Sequence, residues 1–279
     1  WLDAGAAGAV PQPADPGGDT GGDLCFLVGF QRSGTTLLEI MLDAHPDIVS
    51  IEEQPTIETV ISRLEKAAGG YPGSLDSLGP EEVQELRAVY RAAAGRYLED
   101  EAASLVVDKM PMRLLHAGLI HRLFPDARIL FALRHPCDVV LSNFMQAFAA
   151  NESSIHFDTL QGSVAMYGRT MEIWRRIEQR FPLNLQYTRY ESLVADPEAE
   201  MKAVCAFLGY EPVAAMFDAE ARLSGRAALR TPSYHQVAEA VYQRSVGRWV
   251  NYRAPLAPYL VALRPLAEHF GYRLDKPDD

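Results

Sequence analysis

Short apolar runs alternate with longer amphipathic segments along most of the chain. Four short runs predict strands buried inside the protein: CFLVGF, SLVVDKM, ARILFALR and NLQYTRY, at residues 25–30, 104–110, 127–134 and 184–190. Elsewhere apolar residues recur every three or four positions, as they do on one face of a helix. This spacing predicts helices at residues 34–45, 56–66, 80–99, 113–124, 136–148, 164–180, 197–209 and 256–270. The alternation predicts an α/β fold with a central parallel sheet flanked by helices on both faces.

The two ends of the chain differ from its interior. Residues 1–22 are rich in Ala, Gly, Pro and Asp, which predicts a flexible linker or tail, and residues 273–279 predict a second tail. We therefore expect one folded domain at residues 23–272. Within it, the polar segment 219–244 has no clear periodicity. The chain does not begin with methionine, so an upstream domain is one expectation, and a homodimer is an alternative that the sequence leaves open.

Charge and cysteine content exclude several classes of protein. The formal net charge is −11, which argues against a nucleic-acid binder because such proteins need a positive field. No apolar run reaches the roughly 18–20 residues that span a bilayer, so we expect no membrane span. The three cysteines form neither a disulfide framework nor a metal-ligand set. They predict a reducing compartment, the cytoplasm, and no metal site.

The stretch GFQRSGTT, residues 29–36, carries the strongest chemical signal. Gly29 and Gly34 have the spacing of a nucleotide phosphate loop, G-x-x-x-x-G-K-[ST], but the lysine that reaches the β- and γ-phosphates is missing. Arg32 lies inside the loop instead. A predicted strand precedes the loop and a predicted helix follows it, an arrangement in which main-chain N–H groups bind an anion. A tight turn without any ligand is the alternative interpretation.

Polar residues also follow two other predicted strands. Asp108 and Lys109 end the second strand, and Arg134 and His135 end the third. In a parallel sheet, ligands bind beyond the carboxyl ends of the strands. We therefore expect these residues and the glycine loop to meet at one edge of the sheet.

Two motifs taken together resemble the sulfotransferase superfamily: RSGTTLLEIMLDAHP at residues 32–46 and RHPCDVVLS at residues 134–142. The resemblance extends over residues 23–272 and points to the protein-tyrosine sulfotransferase-like branch, which includes bacterial members with tetratricopeptide repeats. It implies a P-loop-like three-layer fold that moves a sulfuryl group from 3′-phosphoadenosine-5′-phosphosulfate (PAPS) to a hydroxyl. The product of the donor is adenosine 3′,5′-bisphosphate (PAP), and no metal is needed. PAPS has no γ-phosphate, which agrees with the missing lysine.

The resemblance also implies which residues bind the donor. The loop residues that would hold the 5′-phosphosulfate are Arg32, Ser33, Gly34, Thr35 and Thr36. Arg134 and Ser142 would bind the 3′-phosphate, because the family carries an arginine and a serine at this spacing. Tyr190 matches a tyrosine of the adenine-side pocket. Arg248 matches a basic residue near the phosphosulfate or the 3′-phosphate, where tyrosine-sulfating members often have lysine.

Three residues are implied in catalysis. In DKMP, Lys109 occupies the place of the histidine base of the cytosolic branch, and its ammonium group would neutralise charge on the leaving bridging oxygen. Glu53 is the second glutamate of DAHPDIVSIEEQP and would take the acceptor's proton, with Glu52 as the alternative base. The next two residues, Gln-Pro, replace the threonine and arginine usual in the family. Ser233 would lie beside the transferring sulfate.

Two other functions and the nature of the acceptor stay open. One alternative is a small-molecule kinase with an aberrant phosphate loop, which would use ATP and Mg²⁺. The other is a catalytically silent domain that binds PAPS or a partner. The acceptor hydroxyl could belong to a peptide tyrosine, a sugar or a small molecule. We expect its binding walls at residues 53–80 and 147–163, which lie between the motifs and have loop-like composition.

Overall fold

A single parallel sheet forms the centre of the protein. The computed structural model describes residues 18–66, 69–98, 103–146, 154–218 and 245–274. The strands are β1 (Leu24–Gly29), β2 (Ile48–Glu52), β3 (Leu105–Lys109), β4 (Arg128–Leu133) and β5 (Asn184–Arg189). They are ordered β2-β3-β1-β4-β5, and each neighbouring pair is parallel. All five strands therefore end at the same edge of the sheet, and the predicted α/β fold class is confirmed.

Helices cover both faces of this sheet. The α-helices among the described residues are α1 (Thr35–Asp43), α2 (Thr56–Leu64), α3 (Pro80–Ala94), α4 (Ala117–Leu123), α5 (Pro136–Phe144), α6 (Leu160–Arg180), α7 (Tyr190–Ala195), α8 (Pro197–Leu208), α9 (Arg253–Leu256) and α10 (Leu260–His269). Alternate side chains of β1 enter two separate cores, with Phe26 and Val28 in one and Cys25 and Leu27 in the other. A strand covered on both faces has no solvated side, which explains its continuous apolar run. Within the described residues, no helix combines the length and apolar content that crossing a membrane requires.

The four predicted strands are confirmed, but the hydrophobic pattern does not predict the fifth strand, β2. This strand is short, lies at the sheet edge and leaves Ser50 and Glu52 only half-buried. Its apolar residues therefore do not form the unbroken run that marks the central strands. The predicted helix at residues 113–124 divides into a 3-10 helix, Pro111–His116, followed by α4. The last predicted helix is similarly divided by a 3-10 turn at Ala257–Tyr259, where a proline lacks the N–H that an α-helix needs.

The turn between β1 and α1 depends on a glycine. Gly34 caps the N-terminus of α1 with a φ of 97°, in the left-handed region that favours glycine. A Cβ atom on this residue would lie 2.6 Å from Cδ2 of Tyr190. No side chain caps the first turn of α1, so side chains do not compete for its N–H groups.

A buried carboxylate on α5 binds the main chain of the C-terminal segment. Asp138, on α5, accepts hydrogen bonds from the main-chain N–H groups of Gly247 and Trp249, both at 2.8 Å. Trp249 is fully buried and stacks on His135 with a ring-centre distance of 4.9 Å. Trp249 therefore packs inside the fold.

Part of the predicted N-terminal tail contacts the domain. Arg91, on α3, donates hydrogen bonds to Asp19 at 2.7 Å and to Asp23 at 2.6 Å. These contacts join the segment that precedes β1 to the helix layer on one face of the sheet.

Replacing Gly34 tests the backbone requirement at the start of α1. In Gly34→Ala, a positive φ costs roughly 1–2 kcal/mol, and the added methyl group must displace the Tyr190 ring. We expect a loss of about 1–3 kcal/mol of unfolding free energy in urea titrations. Gly168→Ala is the matched control, because in the middle of α6 the added carbon would meet no atom within 4 Å beyond its chain neighbours and the backbone of its own helix. Gly168→Ala should gain up to ~1 kcal/mol, and equal effects of the two variants would contradict the steric argument.

Replacing Asp138 tests the attachment of the C-terminal segment. Asp138→Ala leaves two main-chain donors without their acceptor, so we expect unfolding free energy to fall by about 2–4 kcal/mol. The measurement is thermal or urea unfolding of the purified variant. Glu172→Ala removes an exposed ion pair with Arg175 and should change stability by less than ~1 kcal/mol. A similarly small change in Asp138→Ala would show that the other contacts of the segment, such as the packing of Trp249 and the hydrogen bond from Arg134 to Ser245, hold it without Asp138.

Candidate active site

The carboxyl edge of the sheet brings most of the predicted site residues into one row. Glu53 follows β2, Lys109 ends β3, the phosphate loop follows β1, Arg134 follows β4 and Tyr190 follows β5. Neighbouring strands are about 5 Å apart, so this order along the sheet is also an order in space. The predicted meeting of the strand ends is confirmed, while the individual roles of the residues stay predictions.

A buried ammonium group lies at one end of this row. The Lys109 side chain is fully buried, and its Nζ lies 2.9 Å from Glu53, 3.0 Å from Glu39 and 3.4 Å from Glu52. Burial alone lowers the pKa of Lys109, but the three carboxyl groups outweigh it and raise the pKa above its ordinary value. Lys109 therefore carries its positive charge inside the protein, directly beside both candidate bases.

Glu39 is a member of this cluster that the sequence analysis misses. It lies on α1, and its side chain is 5% exposed. Burial raises the pKa of Glu39 to about 8, Lys109 opposes this shift, and Glu52 adds to it. The sequence does contain a signal, because Glu39 is the one charged residue in the apolar run LLEIML and follows Thr35 by four positions. This spacing places both residues on one face of a helix.

The turn that carries Glu53 is held by a second buried cation. Glu53 has a φ of 49°, a strained value for a residue with a side chain, and its N–H donates to the main-chain oxygen of the last residue of β3 at 2.8 Å. Arg113 is fully buried and donates to the main-chain oxygen of Gln54 at 2.7 Å. Arg113 also forms ion pairs with Asp108 and Glu58. This network, which motif reasoning does not reveal, fixes the position of the Glu53 turn.

Four predicted donor-binding residues meet at the other end of the row. Nε of Arg32 donates to the Ser142 hydroxyl at 3.2 Å. Arg134 donates to the main-chain oxygen of Arg32 at 2.9 Å and to that of Ser245 at 2.6 Å. The Arg134 guanidinium lies 4.8 Å from the ring centre of Tyr190. The sheet therefore brings Arg32, Arg134, Ser142 and Tyr190 together as the sequence predicts.

The charges and donors at this end fit a phosphate-bearing ligand. Burial and, to a smaller extent, the positive charge of Arg134 together lower the pKa of Arg32 to about 10. Nε of Arg134 is buried and has no hydrogen-bond partner among the described residues. Two neighbouring guanidinium groups and the uncapped N-terminus of α1 form a positive site, which an anion stabilises. The buried loop residues that surround this site are Ser33, Thr35 and Thr36.

The remaining predicted residues include one that the structure describes, Arg248, and others that it does not. Ser233 and residues 147–153 lie outside the described residues. Arg248 is exposed at the start of a 3-10 helix, Arg248–Tyr252, and its guanidinium lies 6.0 Å from the ring centre of Tyr252. Within the described ranges, no hydrogen bond or ion pair connects Arg248 to the other site residues. The roles of Ser233 and Arg248 stay predictions.

The relatives of this chain include a protein-tyrosine sulfotransferase and a nodulation protein. Protein-tyrosine sulfotransferase 2 of Gallus gallus is 31% identical over 196 residues, covering 67% of this chain and 51% of the relative. Nodulation protein NoeE of Sinorhizobium fredii is 26% identical over 217 residues, covering 70% of this chain and 52% of the relative. The chain therefore spans about half the length of each of these relatives.

Two solved structures share the fold of this chain. The sulfotransferase domain of the Synechococcus PCC 7002 olefin synthase has a TM-score of 0.60 at 24% identity, covering 94% of this chain and 99% of that domain. The sulfotransferase domain from the curacin biosynthetic pathway has a TM-score of 0.64 at 18% identity, covering 92% and 100%. A family model described as "Sulfotransferase family" matches residues 25–214, a range that contains the five strands except Leu24, together with the row of residues at their carboxyl ends. The chain belongs to the sulfotransferase family.

Proposed function

We propose that this protein transfers a sulfuryl group from PAPS to the hydroxyl group of an acceptor and releases PAP. The observation that carries the proposal is the order of groups at the carboxyl edge of the sheet: Arg134, the phosphate loop, Lys109 and Glu53. The reacting groups follow the same order: 3′-phosphate, 5′-phosphate, sulfate and acceptor hydroxyl. Each protein group thus has the charge or proton affinity that the corresponding reactant needs.

The donor-binding part of the proposal uses the positive end of the row. The N–H groups at the start of α1, together with Arg32 and neighbouring hydroxyls, bind the 5′-phosphosulfate. Arg134 and Ser142 bind the 3′-phosphate, for which the free Nε of Arg134 supplies a donor. Tyr190 borders the adenine side. PAPS has no γ-phosphate, so the proposed site does not need the lysine that is absent from the loop.

The chemical step uses the opposite end of the row. Glu53 accepts the proton of the acceptor hydroxyl as the acceptor oxygen bonds to sulfur. The bond between sulfur and the bridging oxygen breaks, its electron pair goes to the 5′-phosphate, and Lys109 neutralises the charge that develops there. Such a transfer depends on positioning and charge stabilisation, as phosphoryl transfer does. We assign the contact with the transferring sulfate to Ser233 and a further phosphate contact to Arg248.

The acceptor approaches from the solvent side of Glu53. The side chain of Glu53 is 38% exposed, whereas that of Lys109 is fully buried, so the base is the member of the pair that an outside hydroxyl can reach. We propose a hydroxyl-bearing acceptor, with peptide tyrosine, sugar and small-molecule hydroxyls as the candidates. We also propose residues 23–272 as the transferase domain. A reducing compartment suits the three cysteines, which are buried free thiols.

Ligand-induced stabilisation tests the identity of the donor. PAP at about 100 times its dissociation constant should add ~2.7 kcal/mol to the unfolding free energy, visible as a raised midpoint in thermal unfolding. AMP, which lacks the 3′-phosphate, should stabilise much less, and so should ATP with Mg²⁺. Equal or greater stabilisation by ATP with Mg²⁺ would support the kinase alternative and overturn the assignment of PAPS.

Replacing Arg134 with methionine tests how the 3′-phosphate is bound. Loss of a charge-assisted hydrogen bond should weaken PAP binding by ~10- to 100-fold in calorimetric titrations. Binding of adenosine 5′-phosphosulfate, which has no 3′-phosphate, should change little. An equal loss for both ligands would show that Arg134 only supports the loop through its bonds to main-chain oxygens.

Acceptor acidity separates the roles of Glu53 and Lys109. Glu53→Gln should bind PAP as the unchanged protein does, because Glu53 lies at the far end of the row, while sulfuryl transfer from PAPS should fall by ~100-fold or more. A nitrophenol acceptor needs less help in losing its proton, so it should restore Glu53→Gln more than Lys109→Met. Initial rates with phenols of different acidity provide the measurement. If Glu52→Gln loses more activity than Glu53→Gln, Glu52 is the base.

A further inference from the structure

The proposed reaction gives no task to Glu39, although this residue is in direct contact with Lys109. Its Oε2 lies 3.0 Å from Lys109 Nζ, and its side chain is 5% exposed. Its other oxygen, Oε1, is buried and has no hydrogen-bond partner among the described residues. An incompletely bonded carboxyl group inside a protein is costly, so its position between the phosphate-binding helix and Lys109 requires a physical reason.

The three carboxyl groups around Lys109 differ in what happens to them during the reaction. Glu53 becomes neutral when it accepts the acceptor's proton, so its attraction to Lys109 falls at the moment when the leaving oxygen needs a counter-charge. Glu52 is farther away, at 3.4 Å, and its side chain is 22% exposed. Water screens such a contact more strongly than a buried one. Glu39 is the member of the set that is both close to Lys109 and shielded from solvent.

The location of Glu39 suits a positioning role. Lysine has a flexible four-carbon stem, and holding its ammonium group in one place requires contacts from more than one side. Glu39 supplies a contact from α1, whereas Glu52 and Glu53 supply theirs from the end of β2. Because α1 also starts at the phosphate loop, one rigid helix joins the anion site to the anchor of Lys109. Either protonation state of a carboxyl group offers the ammonium an oxygen lone pair.

We propose that Glu39 is a positioning residue for Lys109, holding the ammonium group against the leaving oxygen while Glu53 takes up the acceptor's proton. The inference rests on the proposed function, because it uses the roles given there to Lys109 and Glu53. Glu39 itself touches no reacting atom.

A series of substitutions at Glu39 tests whether the position of the Lys109 ammonium group depends on the length of the Glu39 side chain or only on its carboxyl group. Glu39→Gln keeps the length and one accepting oxygen, Glu39→Asp keeps the carboxyl group but shortens the reach, and Glu39→Met keeps the volume but has no accepting oxygen. We expect kcat for sulfuryl transfer to fall only ~2- to 3-fold in Glu39→Gln and on the order of 10- to 100-fold in Glu39→Asp and Glu39→Met. KM for PAPS and the affinity for PAP should change less than kcat. If Glu39→Met does not fold, Glu39→Gln and Glu39→Asp still decide the question.

A second measurement shows whether Glu39 acts through Lys109. In a Lys109→Met background, Glu39→Asp should lower kcat by less than ~2-fold further, because the group that it positions is already gone. Without any turnover, ¹⁵N nuclear magnetic resonance should find the Lys109 ammonium protected from solvent exchange in the unchanged protein and in Glu39→Gln. The protection should be weaker in Glu39→Asp.

Three results would overturn the inference: full activity in Glu39→Met, a greater loss in Glu39→Gln than in Glu39→Asp, or additive effects of the Glu39 and Lys109 substitutions. Failure of the proposed function looks different, because the unchanged protein would then neither gain stability from PAP nor transfer sulfuryl groups. In that case the ammonium-exchange experiment still reports whether Glu39 holds Lys109.

Discussion

The ammonium group of Lys109 is buried completely, and this single charge organises the site. A buried charge must be paired, and removing one partner of a buried pair typically costs about 3–5 kcal/mol. Glu39 from α1 and Glu52 and Glu53 from the end of β2 meet this requirement together. The pairing therefore joins an edge strand, a neighbouring strand and the phosphate-binding helix through one atom, Nζ.

A second constraint is the separation of charge along the sheet edge. Carboxyl groups cluster at the β2 and β3 side, whereas Arg32 and Arg134 lie at the β1 and β4 side. The protein as a whole is acidic, with a formal net charge of −11. A local cationic pocket in an acidic molecule focuses an anionic ligand on one place and repels it elsewhere. This separation of charge follows from the strand order, because each charged group lies at the end of a different strand of one parallel sheet.

Much of the fold could be predicted from the sequence, and the reasons are physical. Fully buried parallel strands such as β1 and β4 need unbroken apolar runs, which stand out from their surroundings. The edge strand β2 does not need an unbroken apolar run, so the hydrophobic pattern does not predict it. The glycine loop and the polar residues after the strands predict that a ligand binds at one edge of the sheet. The roles of the individual residues, in contrast, come from the resemblance to a family. Glu39 and Arg113 act through partners that are distant in the chain, and periodicity does not reveal such contacts.

The pairing of β2 with β3 also bears on how the protein can change in evolution. Ile51 is aligned with Asp108, and Glu52 is aligned with Lys109. Side chains alternate between the two faces of a sheet, so inserting or deleting one residue within β2 would exchange the faces of everything that follows it. Glu52 would then point away from Lys109 while each amino acid was still present. Homologues should therefore tolerate substitutions in β2 far better than changes of its length, and differences in length should collect in the loop between α2 and α3.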